Sequence, residues 1–182
     1  TETSLNAGWR FHFGETPGAE AAGFDDASWS RIDVPHTWNA FDGQDGAKGK
    51  PAMSGGMRGD YARGSGWYRR TIRFAPEWTG RRVYLQFDGA NRRADVFVNG
   101  RLAGTHLGGF ACFRFDVTTL LRPGHDNVIA VRVNNELNGI APWSGDFTFF
   151  GGIYRDVSLL VTDEVQIETM DHASSGVYLK QS

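Results

Sequence analysis

The chain has 182 residues, of which 40% are hydrophobic and 22% charged, and its formal net charge is −2. That balance excludes nucleic acid and anionic membrane as main partners, because both need a clustered excess of basic residues. No segment approaches the roughly 18 apolar residues of a membrane-spanning helix. The chain starts without a methionine, which favours a periplasmic or secreted protein over a cytoplasmic one.

Glycine and aromatic residues are abundant, with 24 glycines and 13% aromatics. This composition favours many short strands joined by turns over helices. The segments WRFHF and SRIDV are the first candidate strands. Residues 42–66 then form a long glycine-rich insertion, and a loop of that length inside a compact domain is usually functional or disordered.

Alternation with a period of two residues begins at residue 67. In WYRRTIRF, the side chains of Tyr68, Ile72 and Phe74 share one face, and RRVYLQFD repeats the pattern with Val83, Leu85 and Phe87. Such patterns predict half-buried antiparallel strands. The dipeptide Asn99-Gly100 lies between two strand-like runs and predicts a two-residue hairpin.

Further strands are predicted over FRFDV, NVIAVRV and RDVSLLV, with a short turn at TTLLRPGHD. NVIAVRV is apolar on both faces and is therefore expected at the centre of a sheet. Three arginine pairs lie in or beside strand-like runs and are interpreted as solvated strand faces: Arg69-Arg70, Arg81-Arg82 and Arg92-Arg93. The single cysteine, Cys112, is interpreted as a small buried hydrophobe.

Many strands, little helix and no alternation of strands with helices predict an all-β fold, a β-sandwich of the jelly-roll type. An immunoglobulin-like sandwich is the alternative, although such domains are shorter, with about 100 residues. Residues 1–166 are assigned to this domain. Residues 167–182 are interpreted as a polar connector followed by the strand VYLKQS, the start of a truncated second domain.

Five segments in the same order resemble the amino-terminal sugar-binding domain of glycoside hydrolase family 2. They are PHTWNAFDGQDG, GWYRRTIRF, DVFVNGRLAGTHLGGF, FDVTTLLRPGHDNVIAVRV and FGGIYRDVSLL. The family includes β-galactosidases, β-glucuronidases and β-mannosidases. PHTWNAFDGQDG is most similar to β-galactosidases, whereas RVNNELNG with the DFTFFGGIYRDV segment is also similar to β-glucuronidases.

The resemblance implies a galactose-binding-domain-like jelly roll, followed by an immunoglobulin-like domain and a (β/α)₈ barrel. In that family the barrel holds two catalytic glutamates, which hydrolyse the glycosidic bond with retention of configuration. This chain would then be an accessory domain with no catalytic residue of its own. Its implied partners are a β-linked sugar, the barrel of the same chain and further copies of the protein in a homo-oligomer.

Asp146 is the foremost candidate for contact with a sugar. On the residues alone, Ser-Gly-Asp is typical of a turn. In the family, however, an acid seven residues before the Ile of a Gly-Ile-x-Arg motif reaches the sugar in the barrel, and Asp146 keeps that spacing to Ile153. An ionised carboxylate can accept hydrogen bonds from two adjacent hydroxyls. In some members this acid also helps to hold a sodium ion; no other cofactor is expected.

The insertion supplies further candidates, because it carries hydroxyl-binding side chains in a region that approaches the substrate pocket in the family. The predicted substrate-binding residues are therefore Asp146, Asn39, Asp45 and Asp60. His36 and Trp38, in the PHTW segment, are interpreted as structural. The scattered histidines lack metal-ligand spacing, so no metal site is predicted.

Asn135-Glu136 is similar to the Asn-Glu pair of the family's barrel, but here it ends a sandwich strand. Asn134, Asn135 and Glu136 are therefore interpreted as strand-end hydrogen-bonding residues. Phe149 or Phe150 is expected to pack against the barrel, and Arg155 and Asp156 to form structural ion pairs. Two alternative functions stay open: a free-standing carbohydrate-binding module and a purely architectural or oligomerisation domain.

Overall fold

The structure, a computed structural model, describes residues 1–40, 62–136, 139 and 150–181. These residues form ten strands and one short 3₁₀ helix, Pro76–Trp78. The strands are β1 Glu2–Ser4, β2 Trp9–Phe13, β3 Ser30–Ile32, β4 Ser65–Arg73, β5 Arg82–Phe87, β6 Arg93–Val98, β7 Arg101–Leu107, β8 Phe113–Asp116, β9 Asp126–Asn134 and β10 Val157–Thr162. None of the helices in these ranges is long or apolar enough to cross a membrane.

Two antiparallel sheets build the sandwich. One has four strands in the order β1-β10-β5-β8, and the other has six in the order β3-β2-β4-β9-β6-β7. The longest ladder joins β4 to β9, from Ser65 opposite Asn134 to Arg73 opposite Asp126. The predicted central position of NVIAVRV is confirmed, since β9 lies between β4 and β6. The chain is therefore an all-β jelly-roll sandwich, as its sequence predicts.

One main core lies between the sheets. The predicted inward faces are confirmed: Tyr68, Ile72 and Phe74 of the β4 region join Val83, Leu85 and Phe87 of β5 in a single buried cluster. The predicted hairpin is also present, because Asn99 and Gly100 connect β6 to β7 with φ values of 52° and 81°. Both values lie in the left-handed region that two-residue hairpins of this type require.

A second, smaller cluster covers the outer face of the six-stranded sheet. Ala19 and Trp29 pack there on Trp67 of β4 and Ala130 of β9. Arg69 holds the covering segment in place: its Nε lies 2.8 Å from Oδ2 of Asp26, and Nη1 donates to the carbonyls of Ala19 and Ala21. The prediction of solvated arginines is thus wrong for Arg69, which is 2% exposed.

The same prediction is wrong for Arg92, whose side chain is also buried. Cys112 differs from its prediction as well: it is partly exposed, and its Sγ lies 3.6 Å from Oδ1 of Asp88. Burial, followed by the charge of Asp88, raises the pKa of the Cys112 thiol to about 11. The thiol therefore stays protonated and poorly nucleophilic at neutral pH.

The predicted ion pairs of Arg155 and Asp156 do not form within the described ranges. Arg155 instead lies over the ring of Tyr154, 5.5 Å from its centroid, and Asp156 accepts a hydrogen bond of 3.0 Å from Nδ2 of Asn6. Residues 177–181 form no strand. A strand needs a hydrogen-bonded neighbour, and no described segment pairs with these residues. The division of the chain into two domains remains a prediction.

Candidate functional site

Four residues that flank two segments outside the described ranges meet at one end of the sandwich. Asn39 and Ala62 stand on either side of residues 41–61, whereas Asn135 and Gly151 lie close to the two ends of the stretch between residues 137 and 149. We call these four residues the loop junction. The predicted acids Asp45, Asp60 and Asp146 belong to the two flanked segments and lie outside the described residues.

Asn39 is the centre of the loop junction. Its Nδ2 donates to the carbonyl of Ala62 over 2.9 Å, and its Oδ1 accepts from the backbone N–H of Gly151 over 2.7 Å. The same Oδ1 accepts from Nδ2 of Asn135 over 3.3 Å. The side-chain amide of Asn39 thus links Ala62, which follows the first segment, to Asn135 and Gly151, which flank the second.

Asn135 supplies the complementary contacts. Its Nδ2 also donates to the carbonyl of Ala62 over 3.2 Å, and its Oδ1 accepts from the backbone N–H of Gly64 over 2.9 Å. Its own backbone N–H donates to the carbonyl of Gly64 over 3.1 Å. These bonds extend the β4–β9 ladder by one step, so the loop junction is anchored on the longest strand pair of the fold.

Trp38 forms a wall of the loop junction. Its Nε1 donates to the carbonyl of Ala62 over 3.1 Å, and its ring packs against those of Phe11 and Phe13. A Cβ on Gly151 would lie 2.0 Å from this ring. That distance is far below van der Waals contact, so position 151 requires glycine for the backbone to approach Trp38.

Gly152 continues the close approach on the other side. Its φ is +121°, and a Cβ there would lie 2.6 Å from both the carbonyl oxygen of His36 and the hydroxyl oxygen of Tyr68. His36 Nδ1 lies 2.8 Å from that hydroxyl, and burial lowers the pKa of His36. The structural roles predicted for Trp38 and His36 are confirmed. His36 is therefore neutral at neutral pH and is no charge partner for a ligand.

Two arginines give the loop junction a positive character. Arg63 Nη1 donates to the carbonyl of Asn135 over 3.3 Å, and Arg92 is buried beside Asn134, to whose carbonyl its backbone N–H donates over 3.0 Å. Burial, followed by repulsion from Arg63, lowers the pKa of Arg92. Guanidinium groups are strongly basic, so these two side chains bring positive charge to the loop junction.

The sequence prediction for Asn39 needs correction in one respect. Its side chain has no exposed surface, because Ala62, Asn135 and Gly151 occupy its hydrogen-bonding groups. A direct contact between Asn39 and a sugar is therefore not what the structure shows. Asn39 instead holds together the residues that flank the segments carrying the other predicted residues.

The strand-end interpretation is confirmed for the residues that follow β9. Asn134 Oδ1 accepts from the backbone N–H of Glu136 over 2.8 Å, and the exposed carboxylate of Glu136 accepts from Nδ2 of Asn134 over 3.2 Å. Asn134 also donates to the hydroxyl of Ser65 over 2.9 Å. Within the described ranges, no group of three His, Cys, Asp or Glu side chains could hold a metal ion.

Sequence reasoning did not identify Asn135 as a residue that joins the two segments, nor Arg63 and Arg92 as its charged neighbours. The Asn-Asn pair at the end of an apolar strand was the available signal for Asn135. A buried amide at such a position must satisfy its donors and acceptors within the protein. Nothing in the local sequence separates Arg92 from the exposed Arg93 beside it.

Three tryptophans on or beside the six-stranded sheet are buried, with Trp9 at 0%, Trp29 at 7% and Trp67 at 4% exposure. They are therefore unavailable as stacking platforms for sugars in this arrangement. Phe150 is 42% exposed, and its carbonyl accepts from Nδ2 of Asn91 over 2.7 Å. Its predicted packing against another domain remains a prediction, and Phe149 lies outside the described residues.

The fold is an all-β sandwich with a polar loop junction at one end, and comparison with known proteins identifies its family. Residues 3–163 match the family described as glycosyl hydrolases family 2, sugar binding domain. The chain belongs to this family.

Two curated relatives show the range of activities among similar proteins. A β-glucuronidase of Bacteroides fragilis is 45% identical over 178 residues, which cover 97% of this chain and 23% of the relative. A β-galactosidase of Bacteroides ovatus is 35% identical over 165 residues, which cover 91% of this chain and 18% of the relative. The chain thus spans about a fifth to a quarter of the length of these two relatives.

The fold comparison agrees. The crystal structure of a β-glucuronidase from Bacteroides uniformis matches with a TM-score of 0.84 and 36% identity, over 96% of this chain and 19% of that one. At 36% identity the two proteins are similar in sequence as well as in fold. The chain is therefore similar to one domain of much longer enzymes.

Proposed function

We propose that this chain is the accessory sugar-binding domain of a retaining β-glycosidase, whose catalytic carboxylates lie in a barrel domain elsewhere in a longer protein. Membership of the sugar-binding domain family supports this proposal, as do relatives named as glycosidases over only 23% and 18% of their length. In a retaining enzyme one carboxyl group protonates the leaving oxygen and a second forms a covalent glycosyl-enzyme. This chain contributes binding contacts and no catalytic residue.

The observation that carries the proposal is the loop junction. Asn39 bonds to Ala62, Gly151 and Asn135 and thereby joins the flanks of both segments that hold the predicted sugar-binding acids. Side chains from two remote parts of the chain can contact one sugar only if the residues that flank these parts are held close together. Preorganisation of this kind reduces the entropic cost of binding.

Asp146 is the principal proposed contact with the sugar, with Asp45 and Asp60 as further candidates. Arg63 and Arg92 favour the ionised form of an acid brought near them, because an opposite charge within a few ångströms lowers a carboxyl pKa. An ionised carboxylate accepts hydrogen bonds from adjacent sugar hydroxyls, and each charge-assisted bond contributes about 1.5–3 kcal/mol. A sodium ion beside Asp146 belongs to the same proposal.

The proposed substrate is a β-linked hexopyranoside, with a β-galactoside and a β-glucuronide as the two candidates. The PHTWNAFDGQDG segment favours the β-galactosidase type. Relatives that carry each name lie at 45% and 35% identity, with the β-glucuronidase at the higher value. Turnover of matched nitrophenyl β-galactoside and β-glucuronide by the full-length enzyme would decide between the two substrates.

Replacement of Asp146 tests the proposal. In the full-length enzyme, Asp146→Ala should lower kcat/KM by about tenfold to a hundredfold, which corresponds to the loss of one or two charge-assisted bonds. Asp163→Ala is a suitable control, because Asp163 is an exposed acid beyond β10. An Asp146→Ala enzyme with unchanged kcat/KM would contradict the proposed sugar contact and favour a purely architectural domain.

The proposed domain division places residues 1–166 in the sandwich and residues 167–182 at the start of an immunoglobulin-like domain. In the described structure this tail lies against the four-stranded sheet, since Arg114 Nη1 donates to the carbonyl of Thr169 over 2.6 Å. Gln166, the last residue assigned to the sandwich, donates to the hydroxyl of Tyr84 on the same sheet. A homo-oligomer is the proposed assembly, and light scattering of the full-length protein would measure it.

A further inference from the structure

A cleft lies at the β3 edge of the six-stranded sheet. It has a volume of about 540 Å³ and is lined by residues 8–10 and 31–33. Arg10 of β2 and Arg31 of β3 are directly opposite one another in the antiparallel ladder. Directly opposed residues project from the same face of a sheet, and like charges in that position destabilise it. The cleft therefore concentrates positive charge that the fold itself does not require.

The charges in this cleft are poorly compensated. Six other arginines of the described chain form ion pairs: Arg69, Arg73, Arg81, Arg82, Arg93 and Arg132. Within the described ranges, neither Arg10 nor Arg31 has such a pair. Among the described residues, the one hydrogen bond of the Arg10 side chain runs from Nη1 to the carbonyl of Trp29 over 3.3 Å.

One acid, Asp33, lines the cleft, and it is already engaged. Its Oδ1 accepts from the backbone N–H of Gly8 over 2.8 Å. Asp33 also attracts the guanidinium of Arg70 on β4, which favours its charged form. Burial outweighs that attraction and lowers the pKa of Arg70. Nη1 of Arg70 is buried without a hydrogen-bond partner among the described residues. Arg70 projects from the other face of the sheet, because its neighbour Arg69 lies opposite Arg10 in the ladder. Arg10 and Arg31 are thus the two guanidinium groups that share the cleft with this single carboxylate.

We propose that this cleft binds an oxyanion, a carboxylate or sulfate group, between Arg10 and Arg31. Guanidinium groups present parallel N–H donors that match the oxygens of such groups, and the bonds formed are charge-assisted. A bridging anion converts the repulsion between the opposed arginines into two attractions. The volume suits a ligand up to the size of an acidic sugar unit, since small-molecule sites span about 300–1,000 Å³.

Calorimetric titration of the full-length protein tests this site. Sodium sulfate represents a free inorganic anion and sodium glucuronate an acidic sugar; glucose is the neutral reference, and all three are used at one ionic strength. We expect a Kd of about 1 mM for an anion held by two charge-assisted contacts at an open cleft. Arg31→Gln should raise that Kd at least about tenfold, the loss of one charge-assisted bond.

Arg101→Gln is the matched control, because Arg101 is an exposed arginine on β7, the opposite edge strand of the same sheet. Asp146→Ala should leave sulfate binding unchanged, which separates this cleft from the sugar site of the proposed function. Binding of both anions supports an acidic-sugar ligand, and binding of sulfate alone supports an inorganic one. Absence of binding by the wild-type protein, or equal affinity in the Arg31→Gln variant, would overturn the proposal.

Discussion

Nδ2 of Asn135 donates a hydrogen bond to Oδ1 of Asn39 over 3.3 Å, although the two residues are 96 positions apart in the chain. Both side chains are buried, at 1% and 0% exposure. Loss of a hydrogen bond at either amide would leave a buried polar group without a partner, which lowers the free energy of unfolding by about 1–3 kcal/mol. This pair therefore connects the jelly-roll scaffold to the two segments that carry the proposed sugar contacts.

The first prediction concerns Arg69, which holds the outer segment against the six-stranded sheet. Replacing Asp26 by Ala leaves the buried guanidinium without its carboxylate, so the free energy of unfolding should fall by about 3–5 kcal/mol. Urea unfolding of the 182-residue chain measures this loss. Asp126→Ala is the control, because its pair with Arg73 is largely exposed and contributes at most about 1 kcal/mol. Equal effects of the two substitutions would contradict the account of Arg69.

The second prediction concerns Gly151. Its Cβ position lies 2.0 Å from the ring of Trp38 and 2.7 Å from Nδ2 of Asn135, so Gly151→Ala must displace the wall of the loop junction. We expect a loss of about 1–3 kcal/mol in stability, as for other overpacked sites, together with a decreased kcat/KM of the full-length enzyme. Gly23→Ala is the matched control, because a Cβ there meets no atom within 4 Å. If Gly151→Ala were as well tolerated as Gly23→Ala, the close packing at Trp38 would be refuted.

The third prediction concerns pH. Burial lowers the pKa of both His36 and His106 from their ordinary value of 6.5, so the unfolded chain binds these protons more tightly than the folded one. Their stabilising contribution is complete above pH 6.5 and is lost as the pH falls through that value toward the folded pKa. Urea unfolding at pH 7.5, 6.5 and 5.5 should therefore show decreasing stability.

A double variant isolates the histidine contribution. His106 stacks on Phe113 with ring centroids 4.1 Å apart, so His106→Phe keeps the stacking, and His36→Gln keeps a polar partner for Tyr68. This variant should show a flatter pH dependence between pH 7.5 and 5.5. Carboxylates with lowered pKa values, such as Glu15 beside Arg132, titrate at more acidic pH and leave this window unchanged. An unaltered slope in the double variant would refute the assignment to the histidines.

Local patterns in the sequence predicted much of the sandwich. Alternation identified the inward faces of β4 and β5, Asn99-Gly100 identified the hairpin, and a doubly apolar run identified β9 as central. Each of these signals acts within one strand or one turn. Local signals did not predict β1, whose exposed residues Glu2–Ser4 pair with β10 from the far end of the chain.

The candidate site was predicted only in part, for a related reason. Arg69 is buried because the segment around Ala19 and Trp29 folds over it, and a solvated arginine in a strand has the same local sequence. Asn39 was recognised as important, but its burial depends on Asn135 and Gly151 from distant parts of the chain. Asp45, Asp60 and Asp146 lie outside the described residues, so their roles remain predictions.

A double-mutant cycle between Asn135 and Asp146 tests the central claim most directly, namely that the loop junction positions the sugar contact. Asn135→Ser in the full-length enzyme should lower kcat/KM about tenfold, because it removes the amide that ties the two segments together. In the Asp146→Ala background the same substitution should have almost no further effect, because it acts through that carboxylate. Fully additive losses in the double variant would contradict the claim, even if Asp146→Ala alone impairs the enzyme.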